Sequence, residues 1–356
     1  MEPVSRRVFP WVFAFLLLVP GSAVAAELEE IAASPRRWTG VAVSREGRIF
    51  VNFPRWSDDV PVSVAEITIY GKLVPFPDEA WNGWTPEKAP GEHWVCVQSV
   101  FIDDENHLWV LDPANPRFAG VVAGGPKLMR FDIRTGRILQ TIRFDSDAVP
   151  EDGYLNDVRV DTRSRTAYIT DSGNGALLVV DLDAGGVRRV LDDHPATHAE
   201  NIALTIGGQP WLRPDGTVPQ VHADGLDLTP DRRHLYFQAL SGRTLYRIST
   251  EALRDETLSE AALGDAVETV DRTGAADGIL FDADGNLYLS AIEDDAIRRY
   301  TPAGELETVV RDSRLRWPDS LAMGPDGRIV ATTSQIHLGP EPDEPYRIFR
   351  IVPDSR

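Results

Sequence analysis

The sequence predicts an all-β chain folded as a six-bladed β-propeller, and three observations predict it. A hairpin pattern recurs six times, the recurrences are roughly evenly spaced, and together they account for the part of the 356-residue chain that remains after a short leader is set aside. Each recurrence is an alternating strand, a turn and a second alternating strand, which is typical of a β-hairpin. A four-stranded propeller blade needs about 40–50 residues before loop insertions. The main alternative for such a strand-rich chain is a sandwich or a barrel.

The six predicted hairpins follow one another along the whole chain. They are Gly40–Val51, Ser99–Val110, Asp157–Ile169, Gly225–Phe237, Gly278–Leu289 and Ser320–Ala331. Equivalent apolar anchors within them are Val41, Val100, Val158, Leu226, Ile279 and Leu321. Further alternating segments between the hairpins predict the outer strands of the blades. One helix, Glu251–Leu263, is predicted as an insertion outside the blades. No linker interrupts the pattern, so residues 27–356 are predicted to form a single propeller domain.

Residues 1–26 have the three-part pattern of a secretory signal peptide. Arg6 and Arg7 precede an apolar run from Phe9 to Val19, and small residues around Ala25 follow. That run is too short to cross a bilayer, which takes about 20 residues. The sequence therefore predicts export to the periplasm or the extracellular space, with no membrane span after the signal is removed.

Charge and cysteine content exclude several classes of function. The net charge is −19, with 55 acidic and 36 basic residues. Such a surface repels nucleic acid, whose phosphates need basic partners. Cys96 is the only cysteine in the sequence, which excludes an internal disulfide and a multi-cysteine zinc site. The expected partner is a small molecule.

A polar residue stands two positions before each anchor, where the innermost strand of a blade would begin. The six are Thr39, Gln98, Asn156, Asp224, Asp277 and Asp319. Side chains at equivalent positions of successive blades converge on the propeller axis, and oxygen ligands in such a ring suit a hard cation such as Ca²⁺. We therefore predict Asn156, Asp224, Asp277 and Asp319 as ligands of Ca²⁺ or another divalent cation. The alternative is that these residues only form turns at the starts of strands.

Further candidates lie near this ring or in the loops. Asp224 and Asp277 are predicted as catalytic carboxylates, and His222 as a proton carrier because histidine titrates near neutral pH. The pair His194 and His198 is interpreted as a loop, because Pro195 between them argues against a helical metal clip. The segment Asp282–Asn286 is interpreted as a hairpin turn. Tryptophans in the longer connections are candidates for lining a pocket: Trp81, Trp84, Trp94 and Trp211.

Several stretches, in their order and spacing, resemble the major royal jelly protein and yellow family. They are Gly47–Val51 with Pro54–Trp56, Leu108–Asp112 with Pro126–Leu128, Leu155–Val158 with Ala167–Ser172, Asp224–Leu226 with Leu235–Phe237, and Trp317–Leu321. The resemblance implies a secreted six-bladed propeller. It also implies one of several functions: dopachrome tautomerisation, binding of amine-like ligands, or no catalysis at all.

The chain is more distantly similar to gluconolactonase-type propellers, which hold a divalent metal in the channel with Glu, Asn, Asn and Asp. Asn156, Asp224 and Asp277 match the last three ligands, whereas Thr39 stands where the Glu is expected. Two classes of function follow. One is an enzyme, either a tautomerase-like isomerase or a metal-dependent lactone hydrolase, and the other is a non-catalytic binder of a small ligand.

Overall fold

The computed structural model describes residues 26–339, 342 and 344–352. The predicted signal peptide lies outside these residues except for its last position, so it stays a prediction. No helix among the described residues is long and apolar enough to cross a membrane.

The chain forms a six-bladed propeller in which each blade is a four-stranded antiparallel sheet, as the sequence predicts. Its first strand, β1 (Glu27–Ser34), belongs to the last blade. Blade 1 contains β2 (Val41–Val43), β3 (Ile49–Asn52), β4 (Val64–Ile67) and β5 (Leu73–Pro75). Blade 2 contains β6 (Ser99–Ile102), β7 (His107–Asp112), β8 (Lys127–Asp132) and β9 (Ile138–Arg143). Blade 3 contains β10 (Leu155–Asp161), β11 (Thr166–Asp171), β12 (Ala176–Asp181) and β13 (Val187–Val190).

The second half of the chain continues the pattern after a two-stranded hairpin of β14 (Thr205–Ile206) and β15 (Gln209–Pro210). Blade 4 contains β16 (Ala223–Leu228), β17 (His234–Ala239), β18 (Thr244–Ser249) and β19 (Glu268–Arg272). Blade 5 contains β20 (Ala276–Phe281), β21 (Leu287–Ala291), β22 (Ala296–Tyr300) and β23 (Leu306–Arg311). Blade 6 contains β24 (Pro318–Met323), β25 (Ile329–Thr333), β26 (Tyr346–Val352) and β1. Short helices occupy connections: Glu79–Asn82, Thr250–Arg254 and Glu260–Asp265, with 3₁₀ turns at Pro90–Glu92, Pro116–Phe118 and Ile336–Leu338.

The ring closes because the two ends of the described chain share blade 6. Strand β1 pairs with β26 in antiparallel register, for example Leu28 with Ile351, and so supplies the outer strand of a blade whose other three strands come from the end of the chain. The innermost strands β2, β6, β10, β16, β20 and β24 each contact the innermost strands of both neighbouring blades. These are the six strands that the anchors predict as innermost.

Most of the hydrophobic core lies between neighbouring blades rather than in one central mass. One cluster joins blades 2 and 3 and includes the fully buried Trp109 and Val158. Another joins blades 3 and 4 through Tyr168 and Phe237. Trp109 therefore belongs to the core between blades 2 and 3. Because each blade buries its two faces against its neighbours, the axis of the ring is left free for polar side chains.

Four innermost strands have a register shift at the polar positions predicted from the sequence. It falls between Leu155 and Val158 in blade 3, and at the equivalent place in blades 4, 5 and 6. In three of these blades the bulge leaves a backbone N–H without a partner on the neighbouring backbone. A side-chain hydroxyl from the second strand of the same blade accepts a hydrogen bond from that N–H. The pairs are Thr170 with Asp157, Ser290 with Asp277 and Thr332 with Ser320, each at 3.1 Å. Bulges of this kind re-aim side chains.

The glycines of the Asp-Gly dipeptides are required by close packing at the axis. A Cβ on Gly225 would lie 2.2 Å from the carbonyl oxygen of Asp277 in the next blade, and one on Gly278 would lie 2.5 Å from that of Asp319. Neither distance is compatible with a side chain. The absence of a Cβ therefore lets adjacent innermost strands approach closely at the ring.

The predicted helix Glu251–Leu263 is wrong in one respect, since the segment forms two short helices. The first, Thr250–Arg254, ends at Asp255, and the second, Glu260–Asp265, begins at Ser259, whose hydroxyl accepts from the N–H of Ala262. Asp255 also accepts from the N–H and hydroxyl of Thr257, which turns the chain between them. Local capping by short polar side chains therefore overrides the helical pattern. The insertion lies between β18 and β19, within blade 4.

Candidate functional site

The six predicted polar residues lie at the starts of the six innermost strands, at one end of the channel, and all six are buried. We call Thr39, Gln98, Asn156, Asp224, Asp277 and Asp319 the polar ring. The exposed fraction is 8 % or less for every member. Buried polar groups at such positions need hydrogen-bond partners. The Thr39 hydroxyl donates to the carbonyl oxygen of Gln98 at 3.2 Å, and the other five members divide into an amide half and a carboxyl half.

The amide half is a connected hydrogen-bond chain. The Gln98 Nε2 donates to Asn156 Oδ1 at 2.8 Å, and Asn156 Nδ2 donates to Ser172 Oγ at 2.8 Å. The Tyr154 hydroxyl donates to Gln98 Oε1 at 2.8 Å and accepts from the indole N–H of Trp56 at 2.6 Å. These contacts fix both amides in one orientation, because each amide oxygen already accepts a hydrogen bond.

The carboxyl half contains three aspartates with fewer partners. The indole N–H of Trp317 donates to Asp277 Oδ2 at 2.7 Å. Ser320 Oγ donates to Asp319 Oδ1 at 3.2 Å, and Ser172 Oγ lies 3.3 Å from Asp224 Oδ2. These single neutral donors compensate only part of the loss of water around three buried carboxyl groups.

Burial therefore raises the pKa of all three carboxyl groups. The pKa values of Asp224 and Asp277 lie well above the ordinary range, first because of burial and then because of neighbouring carboxylates, and the indole N–H of Trp317 opposes this at Asp277. Burial raises the pKa of Asp319 to about 7, and the nearby Arg37 guanidinium works in the opposite direction. The raised pKa values favour the protonated forms of Asp224 and Asp277, and near neutral pH Asp319 is poised between its two states.

The raised pKa of Asp319 predicts how stability depends on pH. A group whose pKa is raised in the folded state contributes stability below its unfolded value, near 4, and loses it as pH rises through its folded value, near 7. We expect Asp319→Asn to gain stability relative to the wild type between pH 4 and pH 7, by up to about 1.4 kcal/mol per pH unit. Urea unfolding at several pH values measures this difference. A constant difference across the range would contradict the raised pKa.

A cavity of about 380 Å³ occupies the rest of the channel, on the side where the innermost strands end. Its inner wall includes Ser99, Asp157, Gly278 and Ser320, each of which directly follows a member of the polar ring in the sequence. The Asp157 side chain also contributes to the raised pKa values of Asp224, Asp277 and Asp319. Asp157 therefore connects the cavity electrostatically to the ring.

Asp157 is itself a perturbed carboxyl group. Burial raises its pKa, whereas the Arg159 guanidinium and the Ser99 hydroxyl, which donates to Asp157 Oδ1 at 3.1 Å, lower it. Arg159 forms a buried ion pair with Asp227 at 2.9 Å and lies over the ring of Phe101 at 5.2 Å. The acidic side chains that line the cavity outnumber the basic ones, Arg159 and Arg232. Its wall therefore favours neutral or cationic ligands over anionic ones.

The family model for major royal jelly proteins matches residues 95–338, which is more than two thirds of the chain. The chain belongs to the major royal jelly protein family. It is 26% identical to major royal jelly protein 1 of Apis mellifera over 197 residues, which cover 51% of the chain and 42% of that protein. It is 23% identical to the yellow protein of Drosophila erecta over 274 residues, which cover 67% of the chain and 46% of that protein. The chain thus spans less than half the length of these relatives.

The solved structures similar to this royal jelly family member are also propellers. A gluconolactonase from Xanthomonas campestris gives a TM-score of 0.57 at 14% identity, covering 92% of this chain and 90% of that one. Regucalcin from Agrobacterium tumefaciens, described as a calcium-binding protein, gives 0.55 at 14% identity, covering 91% and 95%. Virginiamycin B lyase from Staphylococcus aureus gives 0.53 at 14% identity, covering 92% and 99%. At this identity the likeness shows the fold alone.

The geometry of the polar ring does not favour the predicted divalent cation. Among the described residues, the acidic or imidazole groups that bring three ligand atoms within 4.8 Å of one another are Asp103, Glu105 and His107, in blade 2 and outside the ring. Asn156 Oδ1 and Asp277 Oδ2 already accept hydrogen bonds. Coordination of a cation by Asn156, Asp224, Asp277 and Asp319 therefore stays a prediction. It would require these side chains to lie closer together than they do in this structure.

The cluster of Asp103, Glu105 and His107 is itself held by protein groups. Asp103 Oδ1 accepts from the backbone N–H of Glu105 and of His107, and its Oδ2 accepts from the indole of Trp109 at 2.8 Å. Arg130 donates to Glu105 and lies 2.8 Å from His107 Nδ1. Since a guanidinium already supplies the positive charge, this cluster stabilises the hairpin of blade 2.

The remaining predicted residues lie around the ring without joining it. His222 Nδ1 accepts from the backbone N–H of Ala199 at 3.1 Å, and its ring packs against that of His198 at 4.7 Å. Burial lowers the pKa of His222, so it is neutral at physiological pH. A catalytic role for it stays a prediction. Among the tryptophans, Trp94 is fully buried in the core between blades 1 and 2, whereas Trp211 lines a cavity.

Sequence reasoning missed Asp157, Arg159 and Asp227 as cavity residues. Asp157 was visible only as the second half of an Asn-Asp dipeptide, and nothing local predicts that Arg159 pairs with Asp227, 68 residues away. An available signal was the alternation of the innermost strands. Because alternate residues of a regular strand share one face, the spacing of Asp157 and Arg159 was such a signal, although the bulge between Leu155 and Val158 interrupts the alternation at Asp157.

Proposed function

We propose that the chain binds a small molecule in the channel cavity and moves a proton on it, as an isomerase of the tautomerase type. The observation that carries this proposal is the carboxyl group of Asp157 at the inner end of a cavity of about 380 Å³, coupled to the three carboxyl groups of the ring. Proton transfer between carbon and oxygen needs a group that accepts a proton and one that donates it.

The carboxyl groups of the channel provide both kinds of group at neutral pH. The raised pKa values of Asp224 and Asp277 favour their protonated forms, and Asp319, with a pKa of about 7, can gain or lose a proton near neutral pH. Groups whose environments drive their protonation states apart commonly divide the acid and base roles of a site. In this proposal Asp157 touches the ligand, and the ring carboxyl groups set how easily Asp157 gains or loses a proton.

The cavity wall limits the chemistry of the ligand. Its acidic excess disfavours phosphates and carboxylates, while the Phe101 ring and the apolar residues Leu280 and Ala322 line its sides. A neutral or cationic molecule of one or two rings with an enolisable carbonyl group matches this size and polarity. Export of the chain to the periplasm or extracellular space, as the leader predicts, would place such a site outside the cytoplasm.

A metal-dependent lactone hydrolase is the competing function for the same channel, and a non-catalytic amine binder is another. The gluconolactonase neighbour motivates the hydrolase through fold alone. The engaged oxygens of Asn156 and Asp277 argue against it, as described above. The proposed proton transfer therefore uses the carboxyl groups and no metal ion.

The proposal is tested by turnover of the purified chain on panels of substrates. Dopachrome and small enolisable ketones are incubated with the protein in deuterated buffer, and a panel of lactones is treated in parallel. Because the proposed chemistry uses carboxyl groups alone, we expect isomerisation or deuterium incorporation at carbon that persists when EDTA is present. Nuclear magnetic resonance and absorbance spectroscopy follow the two reactions.

Two outcomes would contradict this function. Lactone hydrolysis that requires added Ca²⁺ and is lost with Asp277→Ala would support the hydrolase. Tight binding of amines such as dopamine, with no turnover on either panel, would support the binder. Protein denatured by heat serves as the control for background isomerisation.

A further inference from the structure

A second cavity of about 520 Å³ lies outside the channel, on the face where the innermost strands begin. The hairpin β14–β15 and its following residues form one side, and the connections before and after β24 and β25 form the other. Its wall includes Trp211, Leu212, Asp295, Arg316, His337 and Leu338. None of these residues belongs to the polar ring or to the channel cavity.

The wall of this cavity is built on an aromatic cluster. The fully buried Trp317 stands behind it, with the Trp211 ring edge-on at 4.8 Å and 76°, and the His337 ring parallel at 5.8 Å and 10°. The Trp317 backbone has a φ of +54°, which bulky residues rarely adopt. Packing therefore holds Trp317 in a strained position from which it supports both rings.

Apolar surface is left open at the cavity. The exposed fraction is 44% for Leu212 and 41% for Leu338, which are among the large hydrophobic side chains that the described residues leave exposed. Leu212, Leu338 and the Trp211 ring together line an apolar slot. Such a slot favours a flat ligand, because aromatic rings gain stacking energy beyond the area they bury.

The polar group at the back of the slot is His337. Its Nδ1 is buried and has no hydrogen-bond partner among the described residues. Burial, together with the positive charges of Arg316 and Arg37, lowers the pKa of His337 to about 4, so the imidazole is neutral at physiological pH. A buried nitrogen without a partner costs free energy that a ligand hydroxyl would recover.

We propose that this cavity binds a planar aromatic molecule bearing a hydroxyl group, with its rings beside Trp211 and its hydroxyl on His337 Nδ1. The site adjoins the polar ring, because the indole N–H of Trp317 donates to Asp277 Oδ2 at 2.7 Å. The proposal does not depend on the proton-transfer function, since the two cavities share no lining residue.

The test is calorimetric titration of the full chain with three probes. These are 2-naphthol, its methyl ether, which lacks the hydroxyl proton, and 2-decalol, which is saturated and not planar. We expect 2-naphthol to bind at one site and the other two to bind about fivefold more weakly or worse. Trp211→Ala is expected to lower the affinity for 2-naphthol by at least about fivefold. His337→Phe keeps the stacking on Trp317 but removes the hydrogen-bond acceptor. It should therefore weaken the binding of 2-naphthol but not the binding of its methyl ether.

Two control variants locate the binding. Trp84→Ala removes another half-buried loop tryptophan, outside this cavity, and should leave the affinity unchanged. Asp157→Asn changes the channel cavity, which shares no lining residue with this one, and should also leave the affinity unchanged. The inference is overturned if the wild type binds none of the probes, if Trp211→Ala binds 2-naphthol normally, or if Asp157→Asn abolishes binding. The last result would place the aromatic ligand in the channel instead.

Discussion

Replacing Asp157 by Asn is expected to lower the rate of proton transfer on the channel ligand by about 10²–10⁴-fold, the usual contribution of a general acid or base. Asparagine has the same shape and can still accept from the Ser99 hydroxyl, which lies 3.1 Å from Asp157 Oδ1. It cannot exchange a proton. Because a buried group with a raised pKa is replaced by a neutral one, stability at pH 8 should not fall. Initial rates and urea unfolding of the same preparation measure the two effects.

Two further variants separate a chemical role of Asp157 from a structural one. Asp104→Asn removes another acid from the outer wall of the same cavity and should change the rate by less than about threefold, because its side chain is 39% exposed and its ion pair with Arg232 is long, at 3.9 Å. Asp319→Asn should shift the pH profile of the rate, since the charges of Asp319 and Asp157 repel each other. Equal losses in Asp104→Asn and Asp157→Asn would show that the cavity matters only for its shape or charge.

Replacing Lys127 by Met is expected to lower the free energy of unfolding by about 3–5 kcal/mol, the usual effect of breaking a buried ion pair by removing one partner. Lys127 and Asp112 are fully buried, and the Nζ–Oδ2 distance is 2.8 Å. The ammonium group also donates to the carbonyl oxygens of Pro90 and Gly125 and lies 5.6 Å from the Trp94 ring. Methionine fills the space but leaves the Asp112 charge without a cation. Urea unfolding at pH 7 measures the loss.

The matched control is Arg299→Met on the surface. Arg299 pairs with Glu307 at 2.5 Å, but the two side chains are 39% and 45% exposed, so this loss should be about 0–1 kcal/mol. Adding Asp112→Asn to Lys127→Met should recover part of the stability, because the orphaned charge is removed. Equal destabilisation by Lys127→Met and Arg299→Met would contradict a special role for the buried pair.

The sequence was sufficient to predict the six innermost strands, because each blade repeats the same local pattern. Alternating apolar residues around a turn specify a hairpin, and the mean spacing of the anchors, 56 residues, specifies how many hairpins the chain contains. The positions of Asn156, Asp224, Asp277 and Asp319 followed from the same repetition. The pattern did not predict that β1 closes blade 6, since the pairing of Leu28 with Ile351 joins residues from opposite ends of the chain.

What the polar ring can do was decided by tertiary contacts alone. The sequence shows that Asp277 is acidic, but its protonation depends on burial, on Asp319 and Asp224, and on the indole of Trp317, 40 residues away. Likewise, the Asp-Gly dipeptide at Asp224 suggested a turn, whereas the strand of the next blade is what excludes a Cβ at Gly225. Local periodicity determines strands because it acts between neighbours along the chain. A pKa or a close approach is set by whichever groups the fold brings within a few ångströms, and no local pattern encodes them.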